Sequence, residues 1–290
     1  MDRDEDRQVE GGTLYVVATP IGNLEDMTFR AVRILKEVDA IAAEDTRHTG
    51  QLLKHFGIQT PQLSCHSHNE NRRIPELLDR LREGQAIALV SDAGTPGISD
   101  PGVPLISACI EGSIPVVPVP GACAAIAALV ASGLSLARFS FEGFLPVKGK
   151  DRRDRLEQLS QDSRTVVLYE GPHRLVKTLL DLAAAVGEER GVAIARELTK
   201  RYEQFWRGSL GEAISQWSNP ADHGLTLKGE FVLVLDGATP TGQDSPSDEK
   251  LLEELQGLLD QGISKSRASR QLAQTHGLSK RQIYELSLQL

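Results

Sequence analysis

From residue 13 to about residue 236, short apolar runs alternate with segments whose apolar residues recur at helical spacing. That alternation confines the chain to an α/β architecture, with strands joined by crossover helices. The run TLYVVA at 13–18 reads as the first strand, and 28–37 as an amphipathic helix with Ala31, Ile34, Leu35 and Val38 near one face. DAIAA at 39–43 is a second strand, followed by a helix over 46–56 that Gly57 closes. A third helix at 69–83 stops at Gly84, AIALV at 86–90 is a third strand, and 114–118 makes a fourth.

The pattern changes after Pro120-Gly121. Residues 122–132 form a helix of small residues suited to close packing. From Phe139 the order is strand, loop, helix (151–160), strand (165–169), helix (173–186) and strand (192–195), with late antiparallel strands at 203–210 and 230–235. The expected organisation is an N-terminal α/β domain over 13–120 and a C-terminal α/β domain over 121–236. Residues 237–249 are a linker by their Gly, Pro, Ser and Asp content. Beyond it, 251–259, 264–275 and 279–288 read as helices, with Ser264 and Ser279 at N-cap positions. Residues 250–290 thus have the layout of a small helical, helix-turn-helix-like tail, the plainer reading being a solvated helical appendage.

The opening MDRDEDRQVEGG holds five acids and two bases, opposite to the basic-then-apolar layout of a signal peptide, and reads as a disordered acidic leader over 1–12. No apolar run reaches the roughly 18–20 residues of a membrane span. Cys65, Cys109 and Cys123 are few, odd in number and far apart, which favours a reducing, cytoplasmic setting over a disulfide framework. His66 and His68 supply only half a metal site, so no metal is expected. A net charge of −8 argues against nucleic acid in general. Locally the balance reverses: residues 262–290 carry Lys265, Arg267, Arg270, Lys280 and Arg281 against Glu285 alone, which makes these five the RNA-binding candidates.

Several catalytic signatures are missing. There is no GxG, hence no Rossmann dinucleotide fingerprint, and no GxSxG nucleophile elbow. GFLPVKGK at 143–150 has five residues between its glycines where a P-loop has four, and Asp151 follows where Ser or Thr would bind magnesium. What stands out is SDAGTPGISDPG at 91–102, directly after an apolar strand, with three glycines, two prolines and two aspartates. Open α/β sheets bind ligands at that edge. Gly94 and Gly97 permit close backbone approach, while Pro96 and Pro101 stiffen the loop. The alternative is an ordinary strand-to-helix connection with Pro101 starting the next helix. Two further Gly/Pro loops, ATPIGNL at 18–24 and VPGA at 119–122, also follow strands. Together the three could enclose one small ligand, whose identity the loops do not specify.

The ordered set TPIGNLEDMTFRA, EDTRHT, SHNE, VSDAGTPGISDPG, VPVPGA, YEGPHR and ARELTKRYE resembles the tetrapyrrole-methylase superfamily over about residues 12–236, and within it the branch that acts on ribosomal RNA. The tail is similar to that branch's C-terminal extension. The resemblance implies a class III methyltransferase fold, two α/β domains clasping S-adenosyl-L-methionine, and a homodimer. It further implies 2′-O-methylation of a cytidine ribose in the decoding centre of 16S ribosomal RNA, within the small subunit. Cofactor contacts would come from Pro20, Ser91, Asp92, Ala93, Gly94 and Thr95, from Cys123 and Ala124, and from Glu170 and Ala195 in the second domain. Corrin-making relatives carry Gly-Asp-Pro where this chain has Ser91-Asp92-Ala93, a departure that weakens the transfer of detailed contacts from those enzymes, though Asp92 still aligns. A ribose hydroxyl needs a base. The candidates at strand ends are Glu44, Asp45, Arg47, His66, Asn69 and Glu70, with Arg196, Glu197, Lys200 and Arg201 in the second half. One rival is a tetrapyrrole-carbon methyltransferase of the same fold, which would not need residues 250–290. The other is a non-enzymatic RNA-binding module, which would take up no S-adenosylmethionine.

Overall fold

The computed structural model describes residues 9–220, 224, 226–238, 248–276 and 280–290. Its first half runs β1 (Leu14–Val17), α1 (Phe29–Glu37), β2 (Ala40–Ala43), α2 (Thr46–His55), β3 (Gln62–Ser64), α3 (Glu70–Arg82), β4 (Ile87–Val90), α4 (Val103–Glu111) and β5 (Val116–Val119). These five strands form one sheet of order β3-β2-β4-β1-β5, parallel throughout. Successive residues of β1 serve opposite faces, as a strand's period of two requires. Tyr15 and Val17 pack with Ile34, Leu35 and Leu53 of α1 and α2, while Leu14 and Val16 pack with Leu77, Leu81 and Leu105 of α3 and α4. Helices on both faces explain why β1, β2 and β4 are buried at every position and read as unbroken apolar runs.

The second half continues with α5 (Ala124–Ala131), β6 (Phe139–Phe144), α6 (Gly149–Gln161), β7 (Thr165–Glu170), α7 (Leu175–Val186), β8 (Gly191–Arg196), β9 (Gln204–Ser209), α8 (Leu210–Ser218) and β10 (Phe231–Leu235). Its sheet has the order β6-β7-β10-β8-β9. Only β6 and β7 pair in parallel; β10 runs antiparallel to both β7 and β8, and β9 antiparallel to β8. One face packs on α6, α7 and α8 around Trp217 and Phe231, whose rings meet edge to face at 5.4 Å. The other face, through Val167, Ala193, Val232 and Val234, is covered by Ala125, Ala128 and Leu129 of α5. The small-residue helix that leaves the first sheet is thus the lid of the second.

Residues 248–290 make a separate unit of α9 (Asp248–Asp260), α10 (Lys265–His276) and α11 (Lys280–Ser287) with its own small core of Leu251, Leu255, Ala268, Leu272, Ala273 and Ile283. Among the described residues no helix is long and apolar enough to cross a membrane.

Four local expectations need correction. Residues 9–12, read as part of a disordered leader, are tied to the body: the Glu10 N–H donates to the Tyr15 hydroxyl at 2.8 Å and the Gly12 N–H to the Gln85 carbonyl at 3.0 Å. Residues 1–8 of that leader and the proposed N-cap Ser279 lie outside the described residues. The linker ends earlier than 249, because α9 already includes Asp248. Strand β3 was not foreseen; at three residues on the sheet edge it is too short to show a period. Helix α8 was hidden by extending a strand to Leu210. Ser209 caps α8 through a reciprocal pair with Glu212, an S-x-x-E signature that the sequence displays.

Candidate active site

All five strands of the first sheet point the same way, so the segments after β1, β2, β4 and β5 emerge at one edge. The loops following β1 and β4 are stitched by a two-bond bridge: the Thr19 N–H donates to the Gly94 carbonyl at 2.9 Å and the Gly94 N–H to the Thr19 carbonyl at 3.0 Å. Gly94 holds φ +79°, and a Cβ there would sit 3.2 Å from Ile21 Cγ2. The loop after β5 joins the same assembly, since Thr95 Oγ1 donates to the Ala122 carbonyl at 3.1 Å. A Cβ on Gly121 would meet the Ala18 Cβ at 2.9 Å, so this loop crosses β1 at backbone distance. The segment after β2 is anchored too. The Asp45 N–H donates to Asp92 Oδ1 at 3.1 Å, and the Asp92 N–H to Glu44 Oε2 at 3.2 Å.

Opposite these loops stands the second sheet. Register places Phe231 beside Glu170 and Val232 beside Tyr169. Between the two sheets lies a cleft of about 350 Å³, walled on one side by Ile21, Glu44, Asp92, Ala93, Gly94, Thr95, Ile98, Ser99, Asp100, Cys123 and Ala124. Phe144, Tyr169, Glu170, Gly171, Glu230, Phe231 and Val232 form the other wall. Tyr169 is packed between the rings of Phe141 and Phe144, at 5.0 and 5.7 Å. Its hydroxyl accepts from the Ala125 N–H at 3.1 Å, so a strand residue of the second sheet caps the first turn of α5, which has no side-chain cap of its own. Burial raises the Tyr169 phenol well above its ordinary range, so it stays protonated.

Among the described residues the lining contains five carboxylates, Glu44, Asp92, Asp100, Glu170 and Glu230, and no Lys or Arg. Burial pushes Asp100 up to about 6, reinforced by the nearby Glu44, with Ser91 opposing through a hydrogen bond. Glu44 is likewise raised, first by burial and then by Asp92 and Asp45, against the Asp92 backbone N–H. Carboxylates desolvated side by side take up protons more readily, and such a cleft favours an organic cation.

Of the expected cofactor residues, Asp92, Ala93, Gly94, Thr95, Cys123, Ala124 and Glu170 line this cleft. Pro20 and Ser91 line an adjoining cavity that shares Asp92. Ala195 is buried in the apolar core beneath α5, so its side chain is not on the wall. Glu170 has structural partners: it accepts from Thr178 Oγ1 at 2.6 Å and from the Gly171 N–H at 2.8 Å, and pairs with Arg174 at 3.2 Å. Among the expected catalytic residues only Glu44 lines the cleft. Asp45 is the N-cap of α2 and pairs with the exposed Arg47, whose guanidinium holds the carboxyl well below its usual range. Asn69 accepts from the His66 N–H at 2.8 Å and so shapes the turn before Glu70, the first residue of α3. Glu197 and Thr199 have positive φ without being glycine. Their turn places Lys200 between Glu197 Oε1 (2.9 Å) and Glu230 Oε2 (2.8 Å), with its stem filling the space a Cβ on Gly22 would need. Lys200 and Glu197 therefore tie the second sheet to the β1 loop at the rim.

Sequence reasoning missed Asp100, although it belongs to the singled-out loop, along with Tyr169, Phe144, Glu230, Phe231 and Val232. In the tail Arg267 and Arg270 are exposed on α10 and Lys265 is half-buried. The side chains of Lys280 and Arg281 lie outside the described residues.

Known proteins agree with this geometry. The family Tetrapyrrole (Corrin/Porphyrin) Methylases matches residues 13–214. A ribosomal RNA small subunit methyltransferase I from Synechocystis sp. is 57% identical over 96% of this chain and 98% of its own length. A protein of the same name from Escherichia coli O157:H7 is 48% identical over 96% and 95%. In structure, the uroporphyrin-III C-methyl transferase of Thermus thermophilus complexed with S-adenyl homocysteine superimposes with a TM-score of 0.53 at 18% identity, over 77% of this chain and 97% of that one.

Proposed function

This chain belongs to the tetrapyrrole methylase family, in its ribosomal RNA small subunit methyltransferase I branch, and from that membership we propose that it methylates a cytidine ribose 2′-hydroxyl in the decoding centre of 16S ribosomal RNA, using S-adenosyl-L-methionine. The observation that carries the cofactor assignment is the cleft itself: five carboxylates between two apolar sheets, of which Arg174 pairs Glu170 and Lys200 pairs Glu230, with no Lys or Arg among the described lining residues. A sulfonium and an ammonium on one small molecule suit that field. Asp92 and Asp100 would face its charged groups, Gly94 and Thr95 would bring the backbone close, and Phe144 and Val232 offer an apolar wall to its flat ring.

S-adenosylmethionine, when bound, supplies a methyl on a positively charged sulfur, which leaves as a neutral thioether as the new C–O bond forms. The protein's part is positioning, exclusion of water and acceptance of one proton. Glu44 is the base we assign, because burial and its acidic neighbours raise its proton affinity and it alone of the expected candidates reaches the cleft. Asp45, Arg47, Asn69 and Glu70 hold the turns around it. Glu197 and Lys200 set the distance between the sheets at the rim.

The helical tail, with Lys265, Arg267, Arg270, Lys280 and Arg281, docks the RNA by phosphate contacts that carry little sequence choice. Ile126 and Val130, exposed one turn apart on α5, are where a second copy would pack in a homodimer. The three free, scattered thiols and the proposed RNA substrate support a cytoplasmic setting.

The test is methyl transfer to small subunits from cells lacking this gene, with nucleoside mass analysis for 2′-O-methylcytidine. Truncation after Asp236 is expected to leave cofactor affinity within about twofold while methylation falls tenfold or more, since several phosphate contacts are lost together. Wild-type transfer by the truncated chain would move RNA docking onto the α/β body.

A further inference from the structure

Beside the cofactor cleft, on the far side of the β1 loop, lies a second cavity of about 390 Å³. The two cavities share Asp92; Ile21 faces the first, while its neighbours Pro20 and Gly22 face the second. The outer wall is α2. That helix commits Thr49 and Leu53 to burial. His48, Gln51, Leu52 and His55 then follow at i, i+3, i+4 and i+7, so one stripe of the helix lines the cavity. Leu24, 41% exposed, faces the same space.

The chemistry of this wall selects its ligand. Among the described residues it has no Lys or Arg, and a phosphate would look for charge-assisted donors. It offers instead two imidazole rings, a carboxamide and two leucine side chains, beside Thr19, Thr49, Ser91 and the Asp92 carboxylate. A carboxamide presents a donor and an acceptor in one plane, matching adjacent groups on the edge of a base. Imidazole rings and apolar side chains supply the faces on which an unstacked base rests. We propose that this cavity receives the base of the target nucleotide, flipped out of the RNA, with Gln51 reading its edge and His48 and His55 flanking its faces. A base seated there carries its ribose to the shared Asp92 wall, which is where the methyl acceptor is needed. The inference rests on the RNA-methyltransferase reading above.

Gln51→Ala and His48→Ala change exposed side chains of the full-length protein and spare the cofactor cleft. Cofactor affinity by calorimetry is expected to stay within about twofold of wild type. kcat/KM toward small subunits is expected to fall on the order of tenfold to a hundredfold, the worth of a lost base contact. As a second readout, RNA carrying 5-iodocytidine is irradiated with the wild-type protein and the adduct mapped by mass spectrometry; the expected attachment is on α2, at His48 or His55. Unchanged kcat/KM in both variants, or an adduct mapping only outside α2, overturns the proposal. Failure of the wild-type protein to methylate small subunits at all would instead remove the functional reading on which it stands.

Discussion

The two sheets that form the cleft contribute to it in different ways. In the first, every strand is parallel, so all connections of one polarity gather at one edge and the ligand-facing groups sit on loops. In the second, β10 runs antiparallel between β7 and β8, and its contribution comes from residues at and near its start, Glu230, Phe231 and Val232, with Tyr169 and Glu170 opposite. A parallel sheet concentrates backbone freedom and charge where strands end. A mixed sheet offers a flat wall whose alternate side chains face core and ligand in turn. The loops should therefore govern affinity, and the wall should govern stability and shape.

The sharpest way to break this contrast is Gly94→Val. A β-branched residue at φ +79°, pressed on Ile21, has neither the backbone conformation nor the space. Cofactor affinity should fall a hundredfold or more by calorimetry, with the far-ultraviolet dichroism of the fold retained; Asp92→Ala should follow the same course. Near-normal binding by both would show that the loop does not hold the cofactor.

Asp100→Asn tests the charge in that loop, with an effect on affinity of about tenfold. Its carboxyl, raised to about 6, must be ionised to attract a cation. Wild-type affinity should therefore climb between pH 5 and pH 7 and then level off, a slope the variant lacks. Stability runs the opposite way. A carboxyl whose folded value is raised contributes stability below its unfolded value and loses it as pH rises through about 6. Above pH 7 the variant should thus be the more stable, by about 1 kcal/mol after allowing for solvent screening. A melting temperature that falls at pH 8 would contradict the assignment.

Tyr169→Phe probes the wall and should have the smallest effect. It removes the acceptor of the Ala125 N–H and leaves that helix end uncapped, a cost of about 1 kcal/mol. The expected result is a lower unfolding midpoint in urea with cofactor affinity changed less than threefold. A larger loss of affinity than of stability would make the wall a binding element in its own right.

The legibility of the two regions in the sequence follows the same division. Loops were found because their signals are local: a strand end, then Gly, Pro and Asp within twelve residues, at 91–102. Seven of the ten cofactor residues that the family resemblance implies line the cleft, and four of them, Asp92, Ala93, Gly94 and Thr95, lie in that loop. The wall was missed because FVLVL at 231–235 reads only as a buried strand, and nothing in it distinguishes a residue facing ligand from one facing core. Ala195, a cofactor contact that the family resemblance implies, is not among the residues lining the cleft. It lies in the same sheet, paired with Val232, yet its side chain lies under α5. Of the catalytic candidates Glu44 alone lines the cleft. Asp45 and Asn69 have the residue types that chemistry wants, and those same types cap helices and close turns, while Arg47 serves as the ion-pair partner of Asp45.

The sequence by itself determined where strands end, which loops tolerate a left-handed backbone and where positive charge collects, since each depends on neighbours a few residues away. Tertiary structure alone decided that Asp100 stands beside Glu44, that Tyr169 caps a helix of the preceding segment and that Lys200 fills the space above Gly22. Those meetings join residues 44 to 178 positions apart. They are set by sheet order and strand register, which no local pattern encodes, because register is chosen by the burial of whole faces at once.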